Sequence, residues 1–247
     1  MAQTQKMYLG DTPIGITRFG EHGNTINGAF PYSLAIDYLV VGAGGGGGSR
    51  NGAEGGGGGA GRFLSQTTTL VSAQTLSAVI GSGGAVDTNG GQTTLIGSGI
   101  TQRMPGGGKG GQFNISSGDG GDGGSGGGSS KGAAPAGGTA NGAGGGLSDD
   151  QGTGVDGGNG NTDNAANGGG SATQWLDGIT YAVGGARGDN GGTPETTKGS
   201  GGDGGNDLGT ITATAGIAGI VKIRYAGPPQ ATGGTITQSG GFTFHSF

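Results

Sequence analysis

The chain has 247 residues, of which 72 are glycine and 7 proline, with no cysteine and a formal net charge of −5. The lack of cysteine excludes a disulfide scaffold and thiolate metal sites, and eleven scattered Lys and Arg residues form no basic stripe of the kind a nucleic-acid binder carries. With apolar residues at 29% and aromatic residues at 5%, burial alone does not offset a backbone ordering cost of roughly 1 to 2 kcal/mol per residue, largest for glycine.

Residues 1–36 differ from everything after them. They carry Tyr8, Leu9, Ile14, Phe19, Phe30 and Tyr32 within few glycines, the content of a short β-rich or extended segment. We read this stretch as an arm that packs on a neighbouring protein through those six side chains. No apolar run approaches the roughly 18 residues of a membrane span, and the N-terminus lacks the basic, apolar and small-residue pattern of a signal peptide. The expectation is a protein made in a cytoplasm.

Residues 37–247 are expected to form a second, glycine-rich unit. It begins with a strand at Asp37-Tyr38-Leu39-Val40-Val41-Gly42, which runs into five glycines, Gly44 to Gly48; five more follow at Gly55 to Gly59. Strands are predicted at 67–71 and 75–80, and a further one at Gly219-Ile220-Val221-Lys222-Ile223-Arg224-Tyr225, where β-branched residues alternate with charged ones. The last segment, 235–247, reads as a hairpin turning at Gly240-Gly241.

Between these strands one side chain recurs every third residue, as in Ser200-Gly201-Gly202-Asp203-Gly204-Gly205-Asn206 and in Asp119 to Gly127. Three residues per turn is the period of the extended left-handed polyproline II helix, which has no internal hydrogen bonds. Glycine at two of three edges lets such helices pack backbone to backbone, held by hydrogen bonds between segments and by Cα–H to carbonyl contacts. A collagen triple helix is excluded by register and by the small number of prolines. The predicted fold class is therefore all-β and irregular: a β-strand-capped bundle of polyglycine II helices with an extended N-terminal docking arm. The polar residues of the repeats are expected on exposed edges.

Motifs for chemistry are weak. His22 and His245 are the only histidines, and HExxH does not occur. Matches to GxGxxG follow from composition and open no helix, and Gly108-Lys109 lacks the Ser or Thr of a phosphate loop. Gly201 to Leu208 and Gly157 to Asp163 approach a calcium-binding glycine-aspartate repeat but misplace its ligands. Arg187-Gly188-Asp189 matches an adhesion tripeptide that arises easily by chance in such a chain. No enzyme activity, no metal and no cofactor is expected. Binding is better placed in loops. Gln174 and Tyr181 lie close to the only tryptophan, Trp175, and Gln102, Arg103, Met104 and Phe113 form a second group. Trp and Tyr suit recognition surfaces; equally, Trp175 and Tyr181 suit the packing of a local strand pair.

Three motifs in order, Asp37 to Gly42 followed by polyglycine, Ser77-Ala78-Val79-Ile80-Gly81-Ser82-Gly83-Gly84, and Gly219 to Tyr225, resemble the glycine-rich domain of tailed-bacteriophage tail fibres and tail-tip adhesins. Lys6 to Ile14 is similar to N-terminal segments of phage tail proteins. The resemblance implies a virion protein that binds a bacterial surface receptor, protein or glycan, through loops on a polyglycine scaffold. It also implies attachment to other tail or fibre proteins and a homotrimer. A capsid decoration or head-fibre protein is the alternative from the same scaffold, and an ice-binding protein a more distant one.

Overall fold

The computed structural model describes residues 3–9 (backbone only), 33–49, 55–71, 75–112, 120–128, 173–186, 196–206 and 212–247. Among them there is no helix; every regular element is a strand, and every pairing is antiparallel. The strands are β1 (Gln3–Leu9), β2 (Ser33–Val41), β3 (Phe63–Val71), β4 (Thr75–Ile80), β5 (Thr93–Gly97) and β6 (Ile100–Met104), then β7 (Thr173–Gln174), β8 (Thr180–Tyr181), β9 (Ile220–Ala226), β10 (Ala231–Thr232), β11 (Thr235–Ser239) and β12 (Phe242–Ser246). They form two open five-stranded sheets, β10-β1-β4-β5-β6 and β11-β12-β9-β2-β3, and the small β7-β8 pair.

The strands expected at 67–71, 75–80 and 219–225 are present as β3, β4 and β9, and the final hairpin turns at Gly240 and Gly241, with φ of 58° and 82°. Both central residues at positive φ match the right-handed twist of the flanking strands. β2 starts at Ser33 and so carries residues on both sides of the division expected between 36 and 37. β1 lies inside a sheet, with Tyr8 opposite Thr75 and Thr232 and Leu9 opposite Ala231. Ile14, Phe19, Phe30 and Tyr32 lie outside the described residues.

Alternation along β2 divides the apolar core in two. Leu34, Ile36, Tyr38 and Val40 face the other large sheet, meeting Leu76, Leu95 and Met104 beside Ile223 and Tyr225. Leu39 and Val41 face the opposite way, where Phe63, Ile220 and Phe244 are covered by Trp175, Tyr181 and Ala182. Each fully buried side chain of this size contributes about 1.5 to 3 kcal/mol, so apolar stabilisation is concentrated at the strand end of the molecule.

Beyond the strands the backbone takes over. The segment 42–48 continues β2 and donates in rotation to three neighbours: Gly42, Gly45 and Gly48 to Arg62, Gly59 and Gly56; Ala43 and Gly46 to Gly91 and Thr88; Gly44 and Gly47 to Ile217 and Thr214. Its carbonyls accept from three others in the same rotation. Ala43 and Gly46 accept from Gly107 and Gly110, Gly44 and Gly47 from Gly84 and Asp87, and Gly45 and Gly48 from Gly202 and Gly205. Six neighbouring segments thus enclose one central segment, each contacting it at every third residue. A Cβ built on Gly44, Gly45, Gly46, Gly47 or Gly48 would stand 1.8 to 2.2 Å from a neighbour's carbonyl oxygen, in five different places. That closeness is the physical reason for the first unbroken glycine block.

The polar residues of the Gly-Gly-X repeat were expected on exposed edges, and some of them are buried instead. Ser125 and Ser200 are fully buried, and Asp203 is 2% exposed. The amides of Val183 and Ala186 donate to Ser200 Oγ at 3.1 Å and Asp203 Oδ1 at 2.8 Å. The repeating side chain here supplies an acceptor to a neighbouring backbone that runs alongside with the same period.

Candidate functional site

The outer face of the β11-β12-β9-β2-β3 sheet is built from cross-strand rows. Thr67, Asp37, Arg224 and Phe244 lie in one row, and Ser65, Leu39, Lys222 and Ser246 in the next. Arg224 donates through Nη2 and Nε to Asp37 Oδ2 at 2.7 and 3.0 Å. Its guanidinium also lies 4.2 Å from the centroid of the Phe242 ring, an arrangement that combines a charge-assisted bond with stacking. Thr67 Oγ1 donates to Asp37 Oδ1 at 2.7 Å.

The β7–β8 hairpin sits on this face. Its tight turn is closed by Gly178 N–H to Trp175 O at 2.9 Å, and by Asp177 Oδ1, which accepts from Ile179 N–H at 3.0 Å. Glycine at 178 is required by a φ of 77°. Trp175 Nε1 donates to Ser65 Oγ at 3.0 Å, and its ring meets Phe244 edge to face at 6.3 Å. Lys222 Nζ donates to Asp177 Oδ2 and lies 5.9 and 5.8 Å from the Trp175 and Tyr181 ring centroids. Tyr181 Oη donates to Asp177 Oδ2 at 2.7 Å.

Burial alone would push the Asp177 carboxyl up, but donors from Lys222, the Ile179 amide and Tyr181 outweigh it and hold it below the ordinary carboxylate range. Burial, reinforced by the neighbouring Asp177 carboxylate, pushes the Tyr181 phenol well up, so it stays a donor. Trp175, Asp177 and Tyr181 bond to Ser65 and Lys222 of the sheet, and these contacts hold the hairpin down. The arrangement acts as a clamp, and what it presents to solvent is the turn: Leu176 is 51% and Ile179 47% exposed, whereas Trp175 is 5% and Tyr181 2% exposed. Any partner that reads this hairpin in the described conformation touches Leu176 and Ile179 rather than the two aromatic rings.

The remaining sequence-predicted residues lie elsewhere. Gln174 Nε2 donates to Gly178 O at 2.8 Å within the same turn. Gln102 is on the inner side, where Nε2 approaches Tyr38 Oη and Gln66 Oε1 at 3.3 Å each. Arg103 is on β6, opposite Thr94, and Phe113 lies outside the described residues. The second group is therefore not joined to the Trp175 hairpin. The sequence reading missed Lys222, Arg224 and Asp37 as members of the clamp. Two cations two residues apart on one face of an otherwise apolar strand were the available signal, since such charges need acceptors when the face is covered.

Of the two near-calcium motifs, Gly157 to Asp163 lies outside the described residues, as do Asp207 and Leu208 of the other. Asp203 spends one carboxylate oxygen on the Ala186 amide, and among the described residues no group of three or more His, Cys, Asp or Glu side chains is placed to hold a metal. No described helix is long and apolar enough to cross a membrane.

The family model of a glycine-rich domain matches residues 21–226. The chain belongs to this glycine-rich domain family. Comparison with curated proteins and with solved structures gives no match. The match covers β2 through β9 of the glycine-rich domain, and so takes in the central segment, the six segments around it and the clamp, but leaves the β11–β12 hairpin outside.

Proposed function

We propose that this glycine-rich domain is a bacteriophage tail-fibre or tail-tip adhesin, in which a polyglycine II bundle, capped at one end by β-sheets, carries receptor-binding loops. The observation that carries the reading is the rotation of hydrogen bonds around 42–48, three donors' directions and three acceptors' directions repeating every third residue. That is the packing expected of polyglycine II helices, which have three residues per turn. At ~3.1 Å per residue, seven residues extend roughly 20 Å from the sheets.

The direction of the segments supports a tip at the end remote from the sheets. Ser49 meets Asp87 and Gln112 there, through Ser49 N–H to Asp87 Oδ1 at 2.6 Å and Gln112 Nε2 to Ser49 Oγ at 2.9 Å. Gly55 bonds Gly205, and Gly111 bonds Gly128, at the same level. The described chain leaves and re-enters between 49 and 55, 112 and 120, and 206 and 212 at this level. A rigid backbone scaffold with its connections gathered at one end suits recognition by variable loops. In this reading residues 1–36 attach the protein to another tail component.

The test is saturable binding of the fluorescently labelled full-length protein to intact cells from a panel of bacterial strains. Saturable binding to one strain, competed by unlabelled protein, supports an adhesin. Absence of binding across the panel overturns it in favour of a structural virion role such as capsid decoration.

A further inference from the structure

We propose that the outer edge of β3 is a two-fold interface between copies of this chain, formed by antiparallel pairing of Phe63–Val71 with itself.

Among the described residues, β3 ends its sheet, paired with β2 on one side only. Natural edges are blunted by brevity, charge, proline or bulges. Elsewhere this molecule uses such devices: β10 is two residues long, and β6 carries Arg103. β3 has none of them. It is nine residues long, reads Phe-Leu-Ser-Gln-Thr-Thr-Thr-Leu-Val, and contains no charge, no proline and no glycine.

That sequence is symmetric in character about Thr67. Antiparallel pairing centred there sets Phe63 opposite Val71 of the second copy, Leu64 opposite Leu70, Ser65 opposite Thr69, Gln66 opposite Thr68 and Thr67 opposite itself. Apolar residues meet apolar residues at both ends and uncharged polar residues meet one another between them, pairings compatible with a stable sheet. The faces also agree. Leu64 and Leu70 both point to the inner core in one copy, and the pairing keeps them on one side. Val71, 50% exposed in the single chain, gains a neighbour in Phe63 of the second copy. A self-complementary patch of this kind generates a closed two-fold pair, with main-chain hydrogen bonds supplying the affinity. The other uncharged edge, β11, reads Thr-Ile-Thr-Gln-Ser and has no such symmetry. The interface is two-fold, in place of the trimer implied by the phage resemblance, and it stands independently of the adhesin reading.

The chain contains no cysteine, so Thr67→Cys introduces a single thiol that would face its own copy at about 4.5 to 5.5 Å between Cα atoms, within disulfide reach. Sedimentation of the unmodified full-length protein is expected to give a dimer, twice 23.2 kDa. Mild oxidation of the Thr67→Cys protein is expected to yield a covalent dimer, and Thr237→Cys on β11 is expected to yield far less. Thr67→Lys places like charges opposite one another while leaving Asp37 a cationic partner. It is expected to weaken the dimer roughly tenfold or more at low salt without loss of the β circular-dichroism signal. A monomer or trimer in sedimentation, cross-linking of Thr67→Cys no faster than of Thr237→Cys, or a folded Thr67→Lys protein with undiminished dimerisation each overturns the proposal.

Discussion

The amide of Ala186 donates to the carboxylate of Asp203 at 2.8 Å, while Gly204 donates back to the Ala186 carbonyl at 2.9 Å. The side chain thus completes a rung that two glycine backbones alone would leave open. Its other oxygen, Oδ2, is buried with no hydrogen-bond partner among the described residues.

Burial raises the Asp203 carboxyl above its ordinary value, and the Ala186 amide only partly opposes this. A raised folded-state value means the stability contributed by this group is fully present below the unfolded value, about 3.9, and is lost as pH rises through the folded value. Asp203→Asn keeps the acceptor for Ala186 and removes the ionisation. Its stability relative to the unmodified protein is expected to improve steadily from pH 4 upward in urea titrations. Asp203→Ala strands the buried amide and is expected to be about 1 to 3 kcal/mol less stable than Asp203→Asn at all pH values.

Gly46 and Gly178 separate two reasons for glycine. A Cβ at Gly46 would lie 1.9 Å from the Ala85 carbonyl oxygen, with no flexible side chain to yield; at Gly178 nothing lies within 4 Å, but φ is 77°. Gly46→Ala is expected to cost more than the roughly 1 to 3 kcal/mol of ordinary overpacking, with failure to fold as the visible result. Gly178→Ala is expected to cost about 1 to 2 kcal/mol. Circular dichroism and thermal melting distinguish the two.

The clamp depends on Asp177 and Lys222, whose side chains are 9% and 10% exposed. Asp177→Asn leaves Lys222 covered and short of a counter-charge, and is expected to destabilise by roughly 2 to 4 kcal/mol. The double change Asp177→Leu with Lys222→Met removes both charges and is expected to recover most of that loss. Limited proteolysis should detect release of the β7–β8 hairpin in the single variant before global unfolding.

His245 is fully buried, between Tyr225 and Gly233. The Gly233 carbonyl can only accept, so Nδ1 carries the proton, and Tyr225 Oη donates to Nε2 at 2.8 Å. Burial lowers the imidazole below 6.5, against a smaller opposing effect of the Gly233 carbonyl. A lowered folded-state value means stability present above the unfolded value and lost as pH falls through the folded one. Unfolding midpoints are therefore expected to drop as pH falls below about 6.5, and His245→Gln should flatten that part of the profile.

Local composition made the principal strands legible, because Ile220 to Tyr225 and Leu39 to Val41 carry β-branched and aromatic side chains that favour a pleated surface. The glycine blocks also announced close backbone contact. The β5–β6 hairpin was hidden, since its turn at Ser98 and Gly99, with φ of 55° and 79°, is one Gly-Ser-Gly among many. The burial of Asp203 was illegible because it depends on which segment lies alongside, and nothing within Ser200 to Asn206 specifies that neighbour. Lys222 and Arg224 signalled covered cations, but their partners were illegible for the same reason, Asp37 and Arg224 being 187 residues apart.

The central segment is synthesised early and enclosed last. Gly45 can bond Gly59 as soon as the chain turns back, but Gly44 and Gly47 await Ile217 and Thr214. Until that stretch leaves the ribosome, the middle of the molecule has donors facing water rather than carbonyls. Such distant partners make closure slow, and a nascent chain halted before residue 214 has no means of completing its own interior.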